Sequence, residues 1–333
     1  MKKTLLLLLL LMLLVGAGFV GWHYKAYRDF LNQPVFVTYP VVLEIDKGTS
    51  YGHFVQMVKS QQGQGELIYW KLLARLNDVQ HKIKAGEFEI SQAMTPLELI
   101  DYIDGNQVKT YAITLVEGHN WKQIRAQLKS SDIRQVASDM TEEQLINWLG
   151  IEAGHLEGQF LPETYQYTRD ESDLDVLVRA HQAMKQVLND AWSGRVDGLL
   201  LKSPYELLIL ASIIEKETAV STERNIISGV FHRRLKQGMK LQTDPTVIYG
   251  VGDAYAGDIT RQHLVTDTPY NTYTRKGLTP TPIAMPGAAS IRAAAHPNEG
   301  KELYFVANNQ GGHTFSETYE QHQQAVAAYL RGN

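Results

Sequence analysis

A pair of glutamates at the end of an apolar segment is the first feature of this sequence that could carry chemistry. Glu215 and Glu217 follow the run 207–214, which reads LLILASII. Glu217 comes three residues after Ile214 and seven after Leu210, so on a helix it shares their apolar face. A carboxyl group on a face that packs into a core is partly desolvated, which raises its pKa and lets it hold a proton near neutral pH. The spacing indicates a general acid at Glu217; alternatively, both glutamates mark where the helix reaches solvent.

A helix must position this carboxyl group, and its beginning can be read from the sequence. Ser203 is a favourable N-cap, and Pro204 suits the first helical position. We therefore expect a helix from Ser203 to Thr218. Because it is apolar on all sides, it should be central in a core.

Further helices and one strand surround this element in the prediction. Helical spacing of apolar residues predicts helices over Trp121–Lys129, Thr141–Leu149, Asp173–Trp192 and Ser316–Leu330, and a strand over Glu302–Ala307. The segment Asp244–Pro297 is rich in Thr, Pro, Gly and Tyr, so we expect an irregular region with short strands. Long irregular segments inside domains are more often functional than idle.

Composition excludes several functional classes. The 333 residues include 32 Lys and Arg against 36 Asp and Glu, a formal net charge of −4, which argues against a nucleic-acid partner. With no cysteine, disulfide scaffolds, thiolate metal sites and cysteine nucleophiles are ruled out. His232 and His313 lack metal-ligand spacing, so we expect no metal. No phosphate-binding loop motif is present, and we expect no cofactor.

The N-terminal segment has the character of a membrane anchor. Residues 5–22 carry no charge, and eighteen helical residues span about 27 Å, close to the bilayer core. A cleaved signal peptide, the alternative, would usually have a shorter apolar region. Lys2 and Lys3 precede the span and Lys25 and Arg28 follow it, and the free amino group favours a cytoplasmic N-terminus. We predict a cytoplasmic tail and anchor over residues 1–28.

Two segments 70 residues apart share one pattern. Residues 42–50 (VLEIDKGTS) and 112–120 (AITLVEGHN) each predict a short strand, a glycine turn and a capped amphipathic helix. Gly48 and Gly118 would supply the positive φ that such a turn needs. With the strand 86–90, the first copy looks like a LysM-like module over residues 29–107, a type that binds N-acetylglucosamine-containing glycans; the alternative is a βα packing unit without a ligand.

Five motifs carry a resemblance that covers nearly the whole chain. They read EGQFLPETY (157–165), ASIIEKET (211–218), LQTDPTVIYG (241–250), YNTY (270–273) and AAAHP (293–297). In this order they resemble the MltG (YceG-like) family of endolytic murein transglycosylases. One position departs, since the family usually has Asp where this chain has Glu163, so the carboxylate is kept with one more methylene group.

The resemblance implies an α+β fold: an N-terminal transmembrane helix, the small LysM-like module, and a larger mixed α/β catalytic domain over residues 108–333. It implies a lyase that cleaves the β-1,4 bond between N-acetylmuramic acid and N-acetylglucosamine in nascent peptidoglycan strands. The product end would be 1,6-anhydro-N-acetylmuramic acid, and the cleavage would terminate strand elongation. In the family motif the second glutamate is catalytic, which is Glu217 here.

Weaker candidates surround this residue. Gln242, Asp244, Asn271 and Tyr273 could bind sugar hydroxyl and N-acetyl groups, and Tyr249 could stack on a sugar ring. A structural role in holding the loop is an alternative for each. Glu163 completes the set of candidate substrate-binding residues.

Two other functions stay open. A glycoside hydrolase could pair Glu217 with Glu163 or Asp244. A non-catalytic glycan-binding scaffold of the wall-synthesis machinery would need no acid at all. The resemblance also implies single-pass localisation in the inner membrane, a periplasmic catalytic domain, glycan strands as the substrate, and penicillin-binding proteins as partners.

Overall fold

The computed structural model of the protein describes residues 2–332, which fold as two compact units. The first comprises the chain up to Tyr111 together with Thr168–Asp170, and the second comprises Ala112–Tyr167 and the chain from Glu171 onward. Helices and strands are mixed in sequence, and the first helix is long and apolar, as the sequence predicts. The helices are α1 (Lys2–Asn32), α2 (Tyr51–Ser60), α3 (Leu67–Asn77), α4 (Pro96–Asp104), α5 (Trp121–Lys129), α6 (Glu142–Leu149), α7 (Asp173–Ser193), α8 (Pro204–Glu217), α9 (Arg224–Lys236), α10 (Asp244–Val251), α11 (Arg261–Val265), α12 (Ala288–Ala295) and α13 (Tyr319–Gly332). The strands are β1 (Val41–Ile45), β2 (Gly86–Ile90), β3 (Thr110–Thr114), β4 (Thr164–Thr168), β5 (Tyr304–Ala307) and β6 (His313–Ser316).

The first unit is built on the antiparallel pair β1–β2, in which Val41 lies opposite Ile90 and Ile45 opposite Gly86. Alternate residues of β1 point inward and meet the buried faces of α2, α3 and α4. The last turns of α1 belong to the same core, which contains the following buried aromatic side chains: Tyr27, Phe30, Phe36, Phe54, Tyr69, Trp70 and Phe88. Among residues 2–332, α1 is the helix with the length and hydropathy to cross a membrane.

The repeated strand–turn–helix pattern is confirmed. Gly48 and Gly118 adopt φ values of 83° and 74°, and the helices α2 and α5 follow. The side chain of Ser50 accepts a hydrogen bond from the third residue of α2, and Asn120 does the same for α5 as part of a capping box. Whether the first copy is a LysM-like module stays a prediction.

The second unit is organised around α8, whose apolar residues are buried on every side, as the sequence predicts. Helices α7, α9, α10 and α12 pack around it. The antiparallel strands β5 and β6 add aromatic side chains to the edge of this core. The predicted helices α5, α6 and α7 lie within one or two residues of their expected bounds.

Residues 244–297 are largely irregular, as expected, but the expected short strands are wrong. The structure has three helices there, α10, α11 and α12, and no strand anywhere in this fully described segment. Turn-forming residues also begin helices: Pro245 occupies the first turn of α10, and Thr260 caps α11. The predicted C-terminal helix begins three residues late, at Tyr319, because Ser316 ends the unforeseen strand β6.

Candidate active site

Glu217 is the last residue of α8, the helix at the centre of the second unit. The Ser203 side chain accepts a hydrogen bond from the backbone of Glu206 and so fixes the beginning of this helix. Residues 207–214 are all buried, which fixes its position. The carboxyl group is therefore held at the point where a rigid apolar element reaches the surface, and Glu217 is partly exposed there.

The hydroxyl group of Thr243 donates a hydrogen bond to Oε1 of Glu217. Thr243 is buried and comes directly before α10. Its backbone N–H donates to Oγ1 of Thr272 at 3.1 Å, and Thr246 joins the same cluster by a 2.8 Å contact with Thr272. Three buried threonines thus hold one another and direct one hydroxyl group at the carboxylate.

Gln242 precedes Thr243 in a left-handed conformation, with φ of 51°. Its backbone N–H donates to the carbonyl oxygen of Thr272 at 3.2 Å, which ties this strained residue to the neighbouring loop. The side chain of Gln242 is exposed. The sequence-predicted Gln242 therefore lies one residue from the contact with Glu217 and presents its amide to solvent.

Burial raises the pKa of Glu217 to about 7. The Thr243 hydrogen bond opposes this increase, as do electrostatic interactions with His313 and Arg234, whereas the negative charge of Asp244 adds to it. The carboxyl group therefore holds a proton for a substantial fraction of the time at neutral pH. This is the state that a general acid requires.

Buried and half-buried polar groups support this environment from α9 and β6. Arg234 is buried, and its guanidinium donates to the carbonyl oxygens of Leu241 at 2.7 Å and Leu303 at 2.6 Å. His313 contacts Glu223 through Nδ1 at 2.7 Å. Both side chains are thereby fixed close to Glu217, where they act electrostatically on its pKa.

Asp244 and Tyr273 form a hydrogen-bonded pair beside this site. The Tyr273 hydroxyl donates to Oδ1 of Asp244 at 2.6 Å. Asp244 is exposed and Tyr273 is half-buried. Interaction with Glu217 contributes to the raised pKa of Tyr273, after burial and the Asp244 hydrogen bond. The structure thus brings together Glu217, Asp244 and Tyr273, as the sequence analysis supposed.

Asn271 and Glu163 are placed differently. Asn271 is 1% exposed, and its amide group donates to three carbonyl oxygens at the end of α11 while its Oδ1 accepts from the Tyr273 backbone. Its polar atoms are therefore committed to holding the loop. Glu163 is exposed, and its charge acts on the pKa of Glu117, not on that of Glu217.

A cavity of about 910 Å³ lies in the second unit, and Glu217 itself is not among the residues that line it. Lys216 and Pro245, the chain neighbours of Glu217 and Asp244, belong to its wall. Its aromatic lining consists of Trp121, Tyr249, Tyr255 and Tyr270. The volume lies at the upper end of the range for small-molecule sites. The predicted stacking residue Tyr249 is therefore in a cavity wall, with its ring 5.0 Å from that of Tyr270.

Glu157 lies in the same cavity wall and is 7% exposed. Its carboxylate accepts hydrogen bonds from the Trp121 backbone N–H at 3.0 Å and from the Tyr249 hydroxyl at 2.9 Å. Burial raises the pKa of Glu157 to about 7, although these hydrogen bonds oppose the increase. Glu157 therefore connects the beginning of α5 to α10.

Sequence reasoning missed Thr243, Arg234 and the position of Glu157. Thr243 stood between two chosen residues, and its place before Asp244-Pro245, where a helix begins, was the available signal. Glu157 was seen only as part of a motif. The basic helix end that carries Arg234 gave no indication of burial, because basic residues there usually face solvent.

The chain matches a family of known proteins. The model of the YceG-like family matches residues 43–328 of the chain. An endolytic murein transglycosylase of Bacillus subtilis (strain 168) is 31% identical over 265 residues, which are 74% of this chain and 73% of that protein. An endolytic murein transglycosylase of Streptococcus pneumoniae serotype 2 (strain D39) is 30% identical over 181 residues, covering 53% of this chain and 32% of that protein.

A solved structure is similar as well. The crystal structure of a yceG-like protein from Listeria monocytogenes aligns with a TM-score of 0.53 at 26% identity, covering 86% of this chain and 99% of that chain. Sequence and fold thus point to the same group of proteins.

Proposed function

This chain belongs to the YceG-like family, and on that premise we propose that it is an endolytic murein transglycosylase with Glu217 as its acid and base. The observation that carries the proposal is the state of one carboxyl group. Glu217 is partly exposed at the end of a buried helix, and its pKa is about 7. A group in this state can both donate and recover a proton at neutral pH.

The reaction needs only this one carboxyl group. Protonated Glu217 donates to the oxygen of the β-1,4 link between N-acetylmuramic acid and N-acetylglucosamine while the C1–O bond breaks. The resulting carboxylate removes the proton from the O6 hydroxyl group of the same muramyl residue, and O6 bonds to C1. The product is a 1,6-anhydro end, no water is consumed, and the intramolecular attack benefits from proximity.

A two-carboxylate hydrolase is the second candidate function. Such enzymes place a second Asp or Glu about 5–9.5 Å from the first, free to act as nucleophile or base. Glu163 is not among the groups that act on the pKa of Glu217. Asp244 does act on it and accepts a 2.6 Å hydrogen bond from Tyr273, so Asp244 is the carboxyl group that a hydrolase could pair with Glu217.

We propose that the substrate binds at the exposed side of this site. We place a glycan strand along the cavity of about 910 Å³, where Tyr249 and Tyr270 offer ring faces to sugars. Gln242, Asp244 and Tyr273 lie at the Glu217 end and offer hydrogen-bonding groups. Asn271 supports the loop that carries them.

The remaining parts of the chain fit attachment to a cell wall. We propose that α1 is a single-pass anchor with a cytoplasmic N-terminus, so that both units lie in the periplasm. Residues 29–107 would be a LysM-like module that contacts glycan, and penicillin-binding proteins and other wall-synthesis proteins would be the partners. The apolar character and length of α1 support the anchor.

The decisive experiment compares two neighbouring substitutions in full-length protein on isolated peptidoglycan. Glu217→Gln removes the titrating group with little change in shape, and we expect a 10²–10⁴-fold loss of cleavage rate with unchanged thermal unfolding. Glu215→Gln is the matched control, because the Glu215 carboxylate accepts from the Gly287 backbone at 3.0 Å and a glutamine oxygen can do the same. It should retain most activity.

The products distinguish the remaining functions. Mass spectrometry should show 1,6-anhydro ends; reducing muramyl ends would mean a hydrolase. Glycan shortening by Glu217→Gln at the wild-type rate would remove the assignment of Glu217. Wild-type protein that binds peptidoglycan without cleaving it would be a scaffold.

A further inference from the structure

The helix α1 continues without a break from the apolar segment into the core of the first unit. Residues 5–22 are uncharged, and their side chains are exposed throughout. The same unbroken helix then enters the core of the first unit, where Tyr27 and Phe30 are buried. The end of the apolar segment therefore has a defined position relative to the rest of this unit, at 1.5 Å per residue.

The helix α3 contacts α1 just beyond the apolar segment. In its first turn, the Tyr69 hydroxyl lies 3.1 Å from His23 Nδ1, and the Tyr69 ring lies 6.2 Å from the Tyr27 ring. His23 directly follows the uncharged residues 5–22. The beginning of α3 therefore lies close to the end of the apolar segment.

One side of α3 is turned away from the core of the first unit. The buried Trp70 marks the core side, because its ring lies 5.2 Å from Phe30. Residue 68 is about 200° from residue 70 around the helix, so Ile68, Leu72 and Leu76 lie on the side away from Trp70. We call these three residues the α3 stripe. They are exposed by 59%, 37% and 65%.

Two cations lie next to the α3 stripe. Lys71 and Arg75 are exposed on the adjoining outer face of α3, and neither forms an ion pair within residues 2–332. Apolar residues on one face with Lys and Arg beside them are the pattern of a helix that lies in a membrane interface. The cationic side chains can extend towards anionic headgroups while the apolar ones enter the acyl boundary.

The neighbouring helix α2 does not share the exposed apolar side chains of α3. It belongs to the same unit and buries Phe54, Val55 and Val58 in the same core. Its exposed positions, however, are polar: His53, Gln56, Lys59 and Ser60. An apolar outer surface is therefore not a general property of the helices in this unit.

We propose that the α3 stripe docks on the surface of the bilayer that α1 spans, with Lys71 and Arg75 against anionic phospholipid headgroups. The first unit is then held to the membrane by two helices, one spanning the bilayer and one lying in its interface. This second attachment prevents the unit from swinging about α1. The inference rests on α1 crossing a membrane and does not depend on the reaction at Glu217.

The absence of cysteine from the sequence makes a direct test simple. Full-length protein carrying a nitroxide label at one introduced cysteine is reconstituted in vesicles of zwitterionic and anionic phospholipid. Collision rates with oxygen, which concentrates in the bilayer, and with a water-soluble nickel chelate then report depth. Leu72→Cys and Leu76→Cys should favour oxygen by at least threefold relative to Gln56→Cys, the matched exposed position on α2. Leu10→Cys, within the apolar segment of α1, provides the reference for full immersion.

Each other outcome overturns part or all of the proposal. A label at position 72 as accessible to the chelate as the label at position 56 would mean that the α3 stripe faces water. Protection that disappears on dilution with lipid would mean that a second copy covers the stripe. A water-exposed label at position 10 would remove the anchor and the docking together. Equal depth in purely zwitterionic vesicles would remove the role assigned to Lys71 and Arg75.

Discussion

Glu217 and Glu157 lie in the same unit, and burial raises the pKa of each to about 7. Their surroundings differ. Glu157 is almost completely buried and accepts hydrogen bonds from the Trp121 backbone and the Tyr249 hydroxyl group. Glu217 is partly exposed and accepts from the Thr243 hydroxyl group.

A carboxyl group that holds a proton near neutral pH can transfer it only if a substrate can reach it. The two donors to Glu157 come from α5 and α10, so its carboxylate connects two helices, and the residue is only 7% exposed although it belongs to the cavity wall. Glu217 has one fixed donor and is more exposed, which on the proposed mechanism leaves room for a sugar oxygen. A pKa near neutrality is therefore shared by both groups, while access and the number of fixed partners decide which of them can do chemistry.

Among the effects that separate the two glutamates, the largest expected one is the loss of activity at alkaline pH. Glu217 must be protonated to act as the acid, so kcat/KM should fall about tenfold per pH unit above its pKa of about 7, reaching a loss of about 100-fold at pH 9. Initial cleavage rates from pH 5 to 9 measure this descending limb. Glu157→Gln should leave this descending limb unchanged. If the limb disappeared in Glu157→Gln, the titrating group would be Glu157 and not Glu217.

For the free energy of unfolding, we expect substitution of Glu157 to have the larger effect and substitution of Glu217 the smaller. Glu157→Ala leaves the Trp121 N–H and the Tyr249 hydroxyl without their acceptor, and we expect a loss of about 2–4 kcal/mol in the free energy of unfolding, against less than about 1 kcal/mol for Glu217→Ala. Urea denaturation of both variants measures the difference. Equal losses would contradict the separation of roles.

The pH dependence of this stability loss has a defined sign. The folded pKa of Glu157, about 7, is above its ordinary value of 4.5, so the folded state binds the proton more tightly than the unfolded chain. The contribution of Glu157 to stability is complete below about pH 4.5 and is lost as the pH rises through about 7. The cost of Glu157→Ala should therefore be larger at pH 5 than at pH 7.5.

A smaller effect is expected at Thr243. Thr243→Val removes the hydroxyl group that orients Glu217, and we expect kcat to fall about tenfold. Because that hydrogen bond lowers the pKa of Glu217, its loss should also move the alkaline limb to higher pH. Thr243→Ser keeps the hydroxyl group and should restore both properties. If the alkaline limb of the pH–rate profile does not move in Thr243→Val, Thr243 supports only the loop.

The smallest effect is expected at Tyr249. Tyr249→Phe removes the hydroxyl group of α10 that donates a hydrogen bond to Glu157. We expect a loss of about 1 kcal/mol in the free energy of unfolding. Tyr255→Phe is the control in the same cavity wall, since the Tyr255 hydroxyl donates to the carbonyl oxygen of Gly257 only two residues away. Thermal unfolding of the two variants should separate them; equal shifts would mean that the Glu157 contact carries no particular weight.

Local signals made much of the fold predictable. The Ser203-Pro204 beginning of α8 and the capping residues Asn120 and Thr141 act within four residues, so the sequence shows them directly. The segment 244–297 was misjudged because the same residues form turns and helix beginnings. Whether a turn or a helix forms depends on the packing of residues such as Val247 and Ile291 into the core.

The site was predictable to the extent that it depends on one helix. The sequence by itself determined that a carboxyl group follows a fully apolar helix and that an uncharged N-terminal segment is long enough to span a bilayer, because both depend on the order of neighbouring residues. Only the tertiary structure decided that Thr243, 26 positions from Glu217, is its hydrogen-bond donor. It also decided that Glu157 is buried while Glu163, in the same motif, is exposed. Desolvation and hydrogen bonding depend on which groups pack around an atom, and folding brings those groups together from distant parts of the chain.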